Sequence, residues 1–288
     1  MLSLHTNNAA LSAQSSIAKT QQTLSTSMTR LSTGFRINSS MDDAAGLQIA
    51  TRLKAQTSGM GMAMLNTQKS TSMLQTADGA LNEVSNMLVR MKDLATQGAD
   101  ASSTQADRDA MQSEFDALGT ELNNVMNNTT FGGAALLKGG TLASAMTFQI
   151  GASSSETMSV DLSTQVGTTL EASLTAASTN YLAPNVAGTE LSTSGASASL
   201  MIDKLKTAIN DVSTVRSSIG ATANRLDHIN TNLMNISNNT KAATGRIMDA
   251  DFATESSTMT SSQMLLQAGT AMLKQSNSMS SMVMSLLQ

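Results

Sequence analysis

Apolar residues recur at heptad spacing through both ends of this chain and lose that order in the middle. Ile17, Leu24 and Leu31 fall seven residues apart, with Met28 between. Leu74, Ala77, Leu81, Val84, Leu88, Met91 and Ala95 alternate steps of three and four without a break, and Met111, Phe115, Leu118, Leu122 and Val125 repeat the pattern. It returns late in the chain at Ile202, Leu205, Ile209 and Val212, then at Ile219, Ala223, Leu226 and Leu233. A last row comprises Leu265, Ala268, Met272, Met279, Met282 and Leu286. This period predicts helices that pack at about +20° in coiled coils or bundles.

Local signals punctuate those helices. Ser32-Thr33-Gly34 predicts a stop after the first, because glycine accepts the left-handed backbone of a C-cap. Asp42 and Asp43 stand where a second helix begins, as N-cap and dipole partner. Gly98 and the following Asp100-Ala101-Ser102-Ser103 predict a turn, with Thr104 capping a third helix. One continuous helix from there back to Ala44 would measure about 80 Å, with Gly59 and Gly61 permitting a bend.

The middle differs in kind. Between Gly139 and Asp203 there is no Lys or Arg, and Ser, Thr, Ala and Gly dominate. Thr147–Ile150 and Met158–Leu162 alternate polar with apolar around Gly151–Thr157, which predicts a β-hairpin. The predicted fold is mainly α: an elongated rod of long helices with coiled-coil termini from both chain ends, a small β-hairpin and a short irregular or β insert. Residues 1–43 and 250–288 form the terminal domain in this reading, 44–162 and 200–249 the helical rod, and 163–199 a solvent-facing insert.

Composition narrows the function. Charged residues are 13% and aromatics 2% of the 288, so the core rests on aliphatic side chains and 22 Met. Methionine at these seams reads as gap-filling core, although Met272, Met279, Met282 and Met284 also suit a self-assembling interface. A net charge of −4 argues against a nucleic-acid partner, which calls for a basic footprint. The absence of Cys excludes disulfides and thiolate metal sites. Catalysis has no candidate: His5 and His228 are the only histidines, Asp42 and Asp43 point apart on a helix, and Gly59-Met60-Gly61 lacks a dinucleotide loop's third glycine. Gly132-Gly133 and Gly139-Gly140 do not make a phosphate loop around Lys138. No cofactor or metal is expected.

The two ends are nearly uncharged. Lys19 is the only formal charge before Thr29, and Lys274 the only one after Glu255. Narrow apolar stripes on neutral faces bury little by themselves, while ordering costs about 1–2 kcal/mol per residue. The ends are therefore expected to order when they meet other copies, and a head-to-tail contact that does not close gives a helical filament. The N-terminus has neither the basic nor the apolar region of a secretory signal, and no run reaches the roughly 20 apolar residues of a membrane span. Secretion would need another route.

Several motifs carry a family resemblance. Ile37-Asn38-Ser39-Ser40-Met41-Asp42-Asp43-Ala44-Ala45-Gly46-Leu47-Gln48-Ile49-Ala50 resembles the N-terminal signature of bacterial flagellin. Arg216-Ser217-Ser218-Ile219-Gly220-Ala221, Arg246 to Glu255, Gln267-Ala268-Gly269-Thr270 and the ending Val283 to Gln288 resemble its C-terminal half. The resemblance covers residues 1–162 and 200–288. It implies a homo-oligomeric extracellular flagellar filament, polymerised through Ile17, Leu24, Met28, Leu31, Leu265, Met272, Met279, Met282, Leu286 and Leu287. Leu74, Leu81, Val84, Leu88, Met91, Leu118, Leu122, Ile209 and Val212 form the rod core in this reading. Type III export, an export chaperone, a filament cap and hook-associated proteins follow from the same likeness.

The resemblance also implies a Toll-like receptor 5 contact at Arg90, Leu94, Gln97 and Glu114, and reading of the terminal leucines by cytosolic inflammasome sensors. Val89 and Lys92 depart from the family pattern there, and Lys cannot make a bidentate guanidinium contact. Arg90 has a second reading, as an ion-pair partner. A polar or a lateral filament remains open, the short insert and the methionine content leaning to the lateral type. A hook–filament junction protein and, from another class, a signalling coiled coil are the alternatives.

Overall fold

The computed structural model describes residues 7–286, with side chains described to residue 279. The architecture is mainly α, with two small antiparallel sheets. The chain divides into two compact units, one of residues 1–57 with 238–288 and one of residues 58–237.

In the terminal unit, α1 (Asn8–Thr33) lies antiparallel to α7 (Phe252–Leu286). Asn7 caps α1 by accepting from the Ala10 N–H at 3.1 Å, and its amide donates to the Ser276 carbonyl at 3.2 Å. At the other end Gly34 closes the helix with φ 75°, a left-handed position that strains any residue with a Cβ. The α1 seam is Ala10, Ala13, Ile17, Thr20, Leu24, Ser27 and Leu31, stepping by three and four. Glu255, Thr258, Met259, Ser262, Leu266, Gly269, Leu273 and Ser276 are the covered or half-covered positions among the described side chains of α7. Ser27 and Ser262 are the fully buried side chains of this pair. Beyond α1, the two linkers pair through a bridge between Phe35 and Asp249, with the Arg36 N–H donating to the Met248 carbonyl at 2.6 Å.

The second unit is built on α2 (Ala44–Gly98), α3 (Gln105–Asn128) and α6 (Gly195–Met248), of which α2 and α6 also contribute to the first. The α2 row from Leu74 to Ala95 is buried completely, at 0% exposure for each of its apolar members bar none. It meets Ala198, Met201, Leu205, Ala208, Val212, Val215, Ile219 and Leu226 of α6 in one core, so the buried α6 row runs one position ahead of Ile202 and Ile209. Thr104 caps α3 reciprocally with Asp107. A short ribbon, β1 (Thr130–Phe131) with β2 (Ala134–Ala135), precedes the hairpin of β3 (Ala145–Gln149) and β4 (Thr157–Asp161). The hairpin falls where alternation places it, pairing Met146 with Val160 and Phe148 with Met158 on its inner face.

The insert departs from the expected irregular or weakly β chain. A π-helical segment Ser163–Leu170 leads into α4 (Glu171–Ala177) and α5 (Thr179–Leu182). Val166, Leu170, Leu174, Ala177, Tyr181 and Leu191 enter the main core. Their small-residue neighbours allow a close approach: a Cβ on Gly119 of α3 would come within 2.2 Å of the Ser178 hydroxyl oxygen. Packing, not intrinsic propensity, makes these turns helical.

Candidate assembly surfaces

The terminal unit separates its apolar residues into two rows. Ile17, Leu24 and Leu31 are half-buried on the α7-facing side of α1, as their spacing predicts. Met28 is 56% exposed beside that seam. On α7 the residues read from the sequence as its seam are not those that meet α1: Leu265, Met272 and Met279 are 62%, 69% and 58% exposed. They lie roughly a quarter turn around the helix from the row of Ser262, Leu266, Gly269 and Leu273. Gly269 marks the true contact, since a Cβ there would stand 2.9 Å from Ile17 Cγ1. Both α7 rows repeat at heptad spacing; the inner one is smaller and more polar, so apolarity alone picks the outer. The side chains of Met282 and Leu286, and Leu287 altogether, lie outside the described residues.

Charge is sparse but placed. Arg30 Nη1 is 3.7 Å from Glu255 Oε2 across α1 and α7. Asp42 accepts from the Asn38 and Ser39 N–H groups at 3.0 and 2.9 Å, and these backbone bonds hold its carboxyl below the usual range. Asp43 accepts from the Gly46 N–H at 2.8 Å, the bond of an N-cap. Asp251 caps α7 through Thr254 Oγ1 and the Ala253 N–H, which lower its pKa.

In the second unit, Leu74, Leu81, Val84, Leu88, Met91, Leu122 and Val212 are core residues at 0–1% exposure. Leu118 and Ile209 are half-buried at its edge. The segment resembling a receptor site is split by burial. Arg90, Gln97 and Glu114 are exposed, whereas Leu94 is 3% exposed and points into the core, so it supports the surface and does not form it. Arg90 Nη2 and Nε reach Glu114 Oε1 at 2.7 and 2.8 Å, joining α2 to α3 within one chain. Val89 is 47% exposed next to them.

A polar cluster that the sequence did not announce fixes the insert to α3. Asp116 accepts from Gln112 Nε2 at 2.7 Å, Asn180 Nδ2 at 2.9 Å and the Gly188 N–H at 3.0 Å. Gln112 Nε2 also donates to Glu190 Oε2 at 2.9 Å, and Glu190 Oε1 accepts from the Thr179 N–H at 2.7 Å. Burial raises the Glu190 pKa, but the bonds from Thr179 and Gln112 outweigh it and the carboxyl ends below its ordinary value. These partners are separated by up to 78 positions, so no local pattern marks them. Lys138 completes the region, its Nζ 4.5 Å from the Tyr181 ring centroid. Among the described residues, no three His, Cys, Asp or Glu side chains gather to hold a metal ion, and no helix is long and apolar enough to cross a membrane.

Known proteins resemble this chain in sequence and in fold. Residues 4–141 match the bacterial flagellin N-terminal helical region, and residues 202–287 the bacterial flagellin C-terminal helical region. Polar flagellin C of Vibrio parahaemolyticus is 33% identical over an alignment covering 100% of both chains. Flagellin A of Vibrio anguillarum is likewise 33% identical with full coverage of both, and a flagellin of Halalkalibacterium halodurans is 34% identical across 91% of this chain and 90% of its own. The fold is shared with a Vibrio parahaemolyticus structure assigned as a flagellar hook-associated protein, at TM-score 0.57 and 16% identity, over 72% of this chain and 100% of that one. Two family regions spanning most of the chain, and relatives aligned end to end, show that this chain belongs to the bacterial flagellin family of structural filament subunits.

Proposed function

We propose that this subunit polymerises into an extracellular flagellar filament for motility, joining copies through the outer apolar row of α7 together with Met28 of α1. The observation that supports this is the division of α7. One row is spent on α1, and the row of Leu265, Met272 and Met279 stays exposed on an almost uncharged helix. A neutral face avoids repulsion between crowded identical copies. In this reading, residues 1–43 and 250–288 line the filament interior, 44–162 and 200–249 form its outer tube, and 163–199 lies on the outer side of that tube with Val166, Leu170, Leu174 and Tyr181 anchored in the core. Export unfolded through the flagellar type III route, with a chaperone on the last helix and a cap at the growing end, completes the proposal.

Introducing charge on the outer row tests it. In the full-length chain, Leu265→Asp with Met272→Asp is expected to abolish sedimentable polymer while the melting of the second unit is unchanged. Filaments of normal length and yield from this variant, seen by electron microscopy, would refute the reading. Short caps from the native chain, never long filaments, would favour a hook–filament junction role. For innate recognition, Arg90, Gln97 and Glu114 are the exposed candidates for a Toll-like receptor 5 contact, with Leu94 supporting them from below. A cell reporter indifferent to Arg90→Ala and Glu114→Ala together would exclude that contact.

A further inference from the structure

Methionines are distributed unequally between the two units. Around the second core, Met91 and Met126 are 0% and 1% exposed, and Met111, Met146, Met158 and Met201 are also buried. In the terminal unit no described methionine is buried. Met28, Met264, Met272 and Met279 are exposed by 56%, 59%, 69% and 58%. Met272 and Met279 share the outer α7 row with Leu265, and Met264 borders it. Leucine would supply the same apolar area without the sulfur. What methionine adds is a thioether that a two-electron oxidant converts to a polar, chiral sulfoxide.

We propose that Met28, Met264, Met272 and Met279 form an oxidation-sensitive gate on assembly, in which peroxide converts their thioethers to sulfoxides in the free chain and prevents copies from joining. This rests on the assembly reading above. In the step, a sulfur lone pair attacks one peroxide oxygen, the O–O bond breaks, an S–O bond forms and water leaves. Sulfur is oxidised by two electrons and the peroxide is reduced. Each new oxygen is a strong acceptor that water satisfies in the free chain, so burying it between copies costs its desolvation and the apolar contact the thioether made. In the polymer the same sulfurs are covered and resist the reagent. The core of the second unit keeps its fold throughout, because Met91, Met111, Met126, Met146, Met158 and Met201 are buried, while its exposed Met62 and Met234 lie outside that core.

The experiment treats the full-length free chain with hydrogen peroxide and maps sulfoxides by peptide mass spectrometry over time. Met28, Met264, Met272 and Met279 are expected to oxidise before Met91 and Met126, and more slowly once polymer has formed. The oxidised chain is expected to need about a tenfold higher concentration to assemble. Treatment with methionine sulfoxide reductases of both stereospecificities restores assembly. A quadruple variant, Met28→Leu, Met264→Leu, Met272→Leu and Met279→Leu, is compared with itself before and after peroxide, and the concentration it needs to assemble is expected not to rise on treatment even though its exposed Met41, Met62 and Met234 still oxidise. The proposal is overturned if oxidised native chain assembles as well as untreated chain, or if the quadruple variant is inhibited to the same degree. Untreated chain that never polymerises refutes the assembly reading and with it the gate. The order of oxidation in the free chain is a separate result, and core methionines reacting as fast as these four would remove the modification site itself.

Discussion

The two units solve the same packing problem with opposite materials. In the second, rows of Leu, Val and Met interlock so that Leu74, Leu81, Leu88, Phe115, Leu205 and Tyr181 lose all contact with water. In the terminal pair the contact positions are Ala, Thr, Ser and Gly beside a few half-buried aliphatics, and the larger apolar side chains face outward. Helices of equal regularity therefore carry very different stabilisation. Burial contributes about 25 cal/mol per Å², and the second unit has most of it. In the assembly proposed above, the lightly held helix pair keeps apolar surface exposed for another copy to cover.

Mutation can break this comparison. The largest effect is expected at Leu88→Ala, a fully buried truncation that costs about 2–5 kcal/mol in denaturant melts of the second unit. The same change at half-buried Leu24 is expected to cost under about 1 kcal/mol. Equal losses at the two sites would mean that the terminal pair is as well packed as the core. Next comes Asp116→Ala, which strands the donors of Gln112, Asn180 and Gly188 and is expected to cost about 1–3 kcal/mol. Hydrogen exchange over residues 178–191 should rise in that variant before it rises in α2.

Acid probes the same cluster more gently. The folded Glu190 pKa lies below its ordinary value of 4.5, so its contribution is full above that pH and is lost as pH falls through the lower, folded value. Glu190→Gln should flatten this part of the stability profile, and an unchanged profile would show that the carboxylate is not linked to folding. Thr104→Ala removes one half of a capping box and should lower stability by about 1 kcal/mol. The smallest change is expected at Arg90→Ala. Its pair with Glu114 is about half exposed, at 54% and 46% of the side chains, so melting should shift by less than about 1 kcal/mol.

Much of the fold was legible along the chain, and the exceptions have a common cause. The α2 row could be read directly, because one dominant apolar stripe meets one core. The hairpin could be read because period two is unmistakable between Ala145 and Asp161. On α6 the buried row lies one residue from part of the predicted one, since Met201 and Ile202, and Ala208 and Ile209, are adjacent apolar pairs between which spacing cannot choose. On α7 the choice was harder still. Its outer row is the more hydrophobic, and only the antiparallel neighbour selects Ser262 and Gly269 for the inside.

Sequence alone thus determined the helical period, the positions of the caps at Gly34, Asp43 and Thr104, the hairpin and the nearly neutral character of both ends. These are consequences of residues within a few positions of one another. Tertiary structure decided which α7 row is covered, that Leu94 lies inside, that Ser163–Leu182 coils into the core, and that Asp116 and Glu190 share Gln112. Each of those outcomes is set by a partner tens to hundreds of residues away, where the removal of surface from water and the pairing of buried donors outweigh local preference.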